Sequence, residues 1–493
     1  MRRVDVDGER HEAEASSSTS ATIGPPPAAR TKPVWEARTA ASPRPPPMRK
    51  AGAIVVAFHG VSEPPSRLRR VLRAVAVDAG LLRRRRDYRL LVAGQFVSLA
   101  GSELTFVAVP FQTFQITHSS LAVGLLGLAE FAPILVLALV GGALADAFDR
   151  RRLVALAEGG AAVVALVLVV NALLPDPHLW VLYVSAALMA AFTALRRPPL
   201  DALVPQLVER DELKASAAID FLAGNVAMVA GPALAGALIA LAGLEVTYAL
   251  DAATFVVSLL ALRAMRTPPP APDAPSPSWR SVVEGVRYAG SRQELLGTYL
   301  VDMNAMFFGM PLALFPALAE RYGGAGVLGL MYAAPAAGAV VAALASGWTR
   351  HVHRHGRAVA LAAAGWGLAI VGFGFADALW LALVCLAVAG AMDSISGLFR
   401  STIWNSTIPV HLRGRLAGIE MLSWSSGPTL GGAEAGAVAA LAGLRAAVVS
   451  GGVLCVAGTA VLVAALPRFW SYDARLPVEG RPPPAHGPAP APP

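Results

Sequence analysis

Twelve apolar runs divide the chain, near residues 90–114, 119–145, 153–174, 179–195, 215–243, 246–265, 295–319, 325–348, 358–376, 378–399, 416–442 and 446–466. Most approach the ~20 residues that an α-helix needs to cross a hydrocarbon core of about 30 Å. Lipid offers no hydrogen bonds, so each span must satisfy its own backbone, which a helix does. The pattern predicts an all-α membrane protein with twelve transmembrane helices. Composition points the same way. Of 493 residues, 55% are hydrophobic and 15% charged, against about 45–50% and 25% in soluble domains. Two cysteines, Cys385 and Cys455, are too few for a disulfide framework or a cysteine-based zinc site. Both lie in apolar runs and read as small buried hydrophobes.

Arginines sort by loop. Arg83–Arg86 and Arg89 precede the first span, Arg150–Arg152 follow the second, and Arg196, Arg197, Arg210 and Lys214 lie between the fourth and fifth. Arg266, Arg280, Arg287 and Arg292 occupy the central loop; Arg350, Arg354 and Arg357 follow the eighth span, and Arg413 and Arg415 the tenth. The alternate loops hold only Arg321 and Arg445. By the positive-inside rule both termini are cytoplasmic, in a bacterial inner membrane. The net charge of +8 thus reports membrane orientation, not nucleic-acid binding.

Five segments follow. Residues 1–88 read as a disordered cytoplasmic tail, in which Ala51–Phe58 is too short to span and Met48 is an alternative start. Residues 89–265 and 295–467 form two six-helix halves, and 468–493 a disordered Pro/Ala-rich tail. The linker, 266–294, opens with prolines and then places Trp279, Val282, Val283 and Val286 at helical spacing, an interfacial amphipathic helix. Duplication supports the two halves: Gly236–Leu244 (GALIALAGL) recurs 200 residues on as Gly436–Leu444 (GAVAALAGL). Transporters are often built from such repeats, with the substrate site between them.

After the second span the chain reads Gly142-Ala-Leu144-Ala-Asp146-Ala-Phe-Asp149-Arg150-Arg151-Arg152. This resembles the signature loop of the major facilitator superfamily, its conserved-type positions falling on Gly142, Leu144, Asp146, Arg150 and Arg151. Ala147 and Asp149 depart from that pattern, where a basic residue and a glycine are usual. Asp146 beside arginines suits a breakable charge network that holds one state of a carrier. Two Gly-Pro elements, Gly231-Pro232 with Gly236 and Gly427-Pro428 with Gly431 and Gly432, resemble the antiporter element of that superfamily. Proline kinks and glycines would give a close-packed helix face. Ala108-Val-Pro-Phe-Gln-Thr, Thr117-His-Ser-Ser, Gly141–Asp146 and Asn171-Ala-Leu-Leu-Pro-Asp-Pro resemble the enterobactin-exporter branch, among drug:proton antiporters. That resemblance implies a secondary transporter exporting a small molecule, such as a catecholate siderophore, in exchange for protons, working as a monomer without a cofactor.

Ionisable residues inside spans are costly and therefore functional candidates. For proton coupling these are Glu103, Glu130 and Asp302, nearest mid-span, with Asp220 and Asp393; Glu420 and Glu434 lie deep in the eleventh span. Asp393, seven residues before Arg400, also suits a gate or an inter-helix contact. Glu158 and Asp251 stand near the ends of spans that the implied fold makes peripheral. Desolvation penalises the charged form of a carboxylic acid, so such a group can carry a proton through a dry cavity and release it to water. Gln95, Gln112, Asn225 and Asn304 are cavity candidates that could donate to a polar substrate or bridge helices.

His351, His353 and His355 lie among arginines without a neighbouring carboxylate or cysteine, a poor metal site. Neither Gly-x-Ser-x-Gly, His-Glu-x-x-His nor a Walker phosphate loop occurs, which leaves an enzyme or an ATPase unsupported. Two alternatives stay open: a broad exporter of amphiphilic drugs, and a non-transporting membrane sensor or scaffold.

Overall fold

The computed structural model describes residues 80–266, 287–409 and 412–475; the linker helix expected around Trp279 and most of both tails lie outside them. The long helices are α1 (Arg86–Thr117), α2 (Ser120–Ala147), α3 (Arg150–Leu173) and α4 (Leu179–Leu207), then Leu213–Ala264, which comprises α5 (213–242) and α6 (244–264). The second half holds α7 (Gln293–Tyr322), α8 (Ala325–Leu344), α9 (His355–Gly374), α10 (Leu379–Thr407), α11 (Arg413–Ala442) and α12 (Leu444–Ala465). Among the described residues there is no strand.

Among the described residues, ten helices are long and apolar enough to cross a membrane. One of them, Leu213–Ala264, runs for 52 residues, about 78 Å at the usual rise, far more than one crossing. It is two rods, broken at Gly243 (φ 89°, ψ 173°). The repeat explains the break. Gly443, 200 residues later, takes the same conformation (φ 90°, ψ 163°) between α11 and α12. A side chain rarely tolerates this positive φ, so a glycine at the same place in each copy sets the same reversal.

α7 is interrupted as well. Its first rod ends at Gly309, and a 3₁₀ turn at Leu312–Leu314 leads into Phe315–Tyr322. Broken helices survive in lipid only where neighbours satisfy the freed carbonyls. Here the Trp366 indole of α9 donates to the Gly309 carbonyl (2.8 Å), and the Tyr332 hydroxyl of α8 to that of Leu312 (3.4 Å).

In the first half α1 packs on α5 and α6, α3 on α4 and α6, and α2 on α4. In the second, α10 packs on α8 and α9, α12 on α9, and α7 on α11 and α12. The halves meet through α2 against α11 and α5 against α8. Two of the expected boundaries move. Residues 80–88 are not tail: Gly80–Arg84 is helical and α1 begins at Arg86. Past α12, Pro467–Trp470 forms another helical turn, and Phe469 is fully buried. Its ring packs where a Cβ on Gly297 would sit, and the Ala474 N–H donates to the His353 carbonyl (2.9 Å).

Candidate functional site

The space between the halves is closed at one end by glycines. A Cβ built on Gly124 or Gly127 of α2 would stand 2.2 Å from the Gly432 or Thr429 carbonyl oxygen of α11. On the other side of the bundle, a Cβ on Gly329 of α8 would lie 2.4 Å from the Pro232 carbonyl oxygen of α5, and Gly236 faces Gly329 in return. Gly427 and Gly431 of α11 instead seat α7, against Met306 and Phe307. The Gly-Pro elements are thus close-contact faces, each serving both a neighbour in its own half and the opposite half. Gly231 packs on Glu103 of α1, and Pro232 and Gly236 on α8; Gly427 and Gly431 seat α7, and Gly432 meets α2.

All these inter-half contacts lie toward the end that carries the arginine-poor loops. The α5 face bearing Gly236 and Pro232 continues back through Met228, Asn225 and Phe221, and Met228 and Phe221 are 51% and 65% exposed. The close contacts between the halves among the described residues thus lie toward the arginine-poor end.

Each half holds a buried ionic cluster. In the first, the Arg196 guanidinium of α4 reaches Glu158 of α3 (2.8 Å) and donates to the Ser98 hydroxyl (3.0 Å). Ser98 and Gln95 of α1 donate to the same carboxylate (2.8 and 3.1 Å), and Gln95 also donates to Ser258 of α6 (3.3 Å). Glu158 is 1% exposed. Nearby, the buried Asp251 of α6 accepts from the Thr105 and Thr254 hydroxyls.

The second cluster joins α7, α10 and α11. Arg400 forms ion pairs with Asp302 and, at 3.4 Å, with Asp393, while the Ser423 hydroxyl donates to Asp302 (2.9 Å). Asp302 is nearly sealed, yet the Asp393 side chain is 41% exposed. The two carboxylates line one small cavity with Trp366 and Ser396. One arginine therefore links a nearly sealed carboxylate to a partly exposed one, and its buried Nε has no hydrogen-bond partner among the described residues.

Other expected site residues are spread through the bundle. Glu103 of α1 packs its stem on Gly231 of α5, and Glu130 lies on α2 one turn beyond Gly127. Asp220 of α5 accepts from the Tyr88 hydroxyl (3.1 Å). Gln112 accepts from the Tyr248 hydroxyl (2.9 Å) and joins α1 to α6; Asn304 donates to the Cys455 carbonyl (2.9 Å) and joins α7 to α12. Gln95, Gln112 and Asn304 thus have side-chain partners on other helices, whereas Asn225 donates to its own helix, at Phe221 (2.8 Å). The side chains of Gly142, Leu144 and Asp146 lie outside the described residues. Arg150 and Arg151 donate to the Ala202 and Arg263 carbonyls (3.5 and 2.9 Å), and Asp149 caps α3 through the Arg152 N–H (2.9 Å). The aspartate standing where a glycine is usual thus ends up as a helix cap.

Glu158, Arg196 and Arg400 are legible in the sequence but do not stand among its site candidates. Arg196 lies just past the apolar run 179–195, but α4 runs on through Pro198, Pro199 and Pro205 to Leu207. Glu158 stands near the start of its apolar run, yet α3 begins at Arg150 and buries it two turns in. The available signal was the spacing of 204 residues between Arg196 and Arg400, close to the repeat.

Residues 82–484 match the family model described as "Transmembrane secretion effector". The chain belongs to this family of major facilitator transporters. Curated members similar to it include the enterobactin exporter EntS of Citrobacter koseri, 31% identical over 366 residues, covering 74% of this chain and 88% of that protein. EntS of Shigella dysenteriae is 32% identical over 372 residues with the same coverage. Among solved structures, the nucleoside transporter NupG (TM-score 0.62, 13% identity) covers 78% of this chain and 100% of its own. A bacterial homologue of the iron transporter ferroportin, in an inward-facing state (0.58, 18%), covers 77% and 98%. These neighbours share the fold. The facilitator chain is accordingly a secondary membrane transporter of a small molecule, not an enzyme.

Proposed function

We propose that the protein is a proton-coupled exporter of a catecholate siderophore, acting as a monomer with both termini in the cytoplasm. The observation that carries the substrate is the likeness to enterobactin exporters across 88% of their length. Orientation rests on the arginine-rich loops, which by the positive-inside rule face the cytoplasm. On that orientation the glycine contacts close the halves together toward the outer side, which suits the state that loads an export substrate.

Coupling rests on the Asp302–Arg400–Asp393 cluster. A proton on Asp302 cancels one ion pair, and Arg400 then pairs with Asp393 alone. Loss of that proton restores the first pair. The two states differ by one proton and one arginine contact, a pair of arrangements that rocking halves can favour in turn. Glu103 and Glu130, without a hydrogen bond or ion pair among the described residues, are further proton carriers. Those same unpaired acids also suit a lipophilic cation, the second reading.

The test is complementation of a bacterium lacking its enterobactin exporter. The reading expects restored iron-free catechol in the medium, lost in Asp302→Asn. Resistance to lipophilic cations without catechol release would favour the second reading.

A further inference from the structure

Three helices wall the cavity at Asp302: α7 with Asp302 itself, α9 with Ala363 and Trp366, and α10 with Asp393 and Ser396. The Arg400–Asp302 ion pair bridges α10 and α7, so its strength depends on how far apart those two helices stand. The segment that follows α12, residues 467–475, crosses the arginine-rich ends of the same three helices.

On α7, the Arg468 N–H donates to the Gln293 side-chain oxygen (3.2 Å), and the fully buried Phe469 ring fills the place of a Cβ on Gly297. On α9, the Phe469 carbonyl oxygen lies where a Cβ on Gly356 would stand, and the Arg357 guanidinium lies over the Trp470 ring (5.2 Å). Just before α9, the Ala474 N–H donates to the His353 carbonyl (2.9 Å). On α10, the Tyr472 and Ser406 hydroxyls share a hydrogen bond (2.8 Å). Gly297 precedes Asp302 by five residues and Ser406 follows Arg400 by six. Both grips therefore fall within two helical turns of the ion pair, close enough for a packed interior to transmit a shift between them.

We infer that residues 467–475 are a positioning strap for the ion pair, fixing the separation of α7 and α10 at which Arg400 reaches Asp302. This rests on the coupling reading and goes beyond it by naming the element that sets the pair. The charged groups around Asp302 are Arg400 and Asp393 of α10, with Glu420 of α11 near enough to act on Arg400. From α11 it also meets the Ser423 hydroxyl, and α9 faces the cavity with Ala363 and Trp366. A loosened strap weakens the Arg400 contact, and a carboxylate that loses its cation takes up a proton more readily.

The test is a pH titration of the carboxylic-acid infrared band of the full chain in lipid nanodiscs, with Asp302→Asn identifying the Asp302 component. Trp470→Leu and Tyr472→Phe each remove one strap contact and should move that component to higher pH by about 0.3–1 unit. Tyr183→Phe removes a hydrogen bond to the Ala122 carbonyl (2.7 Å) in the first half and should leave it in place. An Asp302 component at its wild-type pH in both strap variants would overturn the strap's positioning role, even if their melting temperatures fall. A wild-type chain with no band that Asp302→Asn removes would overturn the strap's role and the coupling reading together.

Discussion

Adding one methyl group at Gly329 should trap the transporter in its other state. A Cβ there would lie 2.4 Å from the Pro232 carbonyl oxygen and 2.8 and 2.9 Å from Gly236 Cα and N. Carbon contacts normally sit at about 3.5–4.0 Å, so α5 and α8 must part by roughly 1 Å. Every clashing atom belongs to backbone, which no rotamer change can move aside. Overpacking of this kind costs about 1–3 kcal/mol. The cost falls only on the state in which the two helices touch, so the equilibrium between the two cleft states should shift about 5- to 150-fold toward opening at the arginine-poor end. Gly326, one turn earlier on α8, has open space around its would-be Cβ and supplies the control. Spin labels at Asp176 and Glu320, exposed near that end, in a chain with Cys385 and Cys455 changed to Ala, read the separation directly. Gly329→Ala should add a longer distance that Gly326→Ala lacks. Identical distributions in the two variants would refute the glycine seal.

Three further outcomes follow from the packing. Asp302→Asn leaves the buried Arg400 undercompensated; breaking a buried pair costs about 3–5 kcal/mol, and the exposed Asp393 offsets part of it. The melting temperature in detergent should fall by several degrees and recover partly when Arg400→Gln is added. Phe469→Ala should cost about 3–5 kcal/mol, because the ring is fully buried against Gly297; a melt like that of the parent would show the segment after α12 to be dispensable. At the arginine-rich end, burial pushes the Glu212 carboxyl up, but the Glu209 N–H and the Arg85 guanidinium outweigh it and hold it below the usual carboxylate range. The stabilising contact is therefore present above the unfolded value near 4.5 and is lost as pH falls through the lower folded value. A spin label at Arg83 should gain mobility on acidification, an effect that Glu212→Gln abolishes.

The fold class was legible because lipid imposes a single local rule, about 20 apolar residues per crossing. The repeat was legible too, and Gly243 and Gly443 show why: a positive φ at each reversal leaves a glycine in both copies. The charge clusters were harder to read. Asp302 stands out in an apolar run, but its partner Arg400 sits at a span edge, where arginine is ordinary. Arg196 was hidden by three prolines that α4 absorbs without ending. Which polar side chains face the cleft is a matter of helix rotation, and apolar runs carry little information about it. Gln112 and Asn304 are as polar as Asn225, yet both are spent on neighbouring helices.

The central claim is proton-driven export by rocking halves. Uptake of iron-free tricatecholate into inside-out vesicles, with an acid-inside gradient imposed and then collapsed, tests it most directly. The account predicts uptake that needs the gradient and disappears in Asp302→Asn. Uptake that is equal with and without the gradient, or untouched by Asp302→Asn, would contradict it.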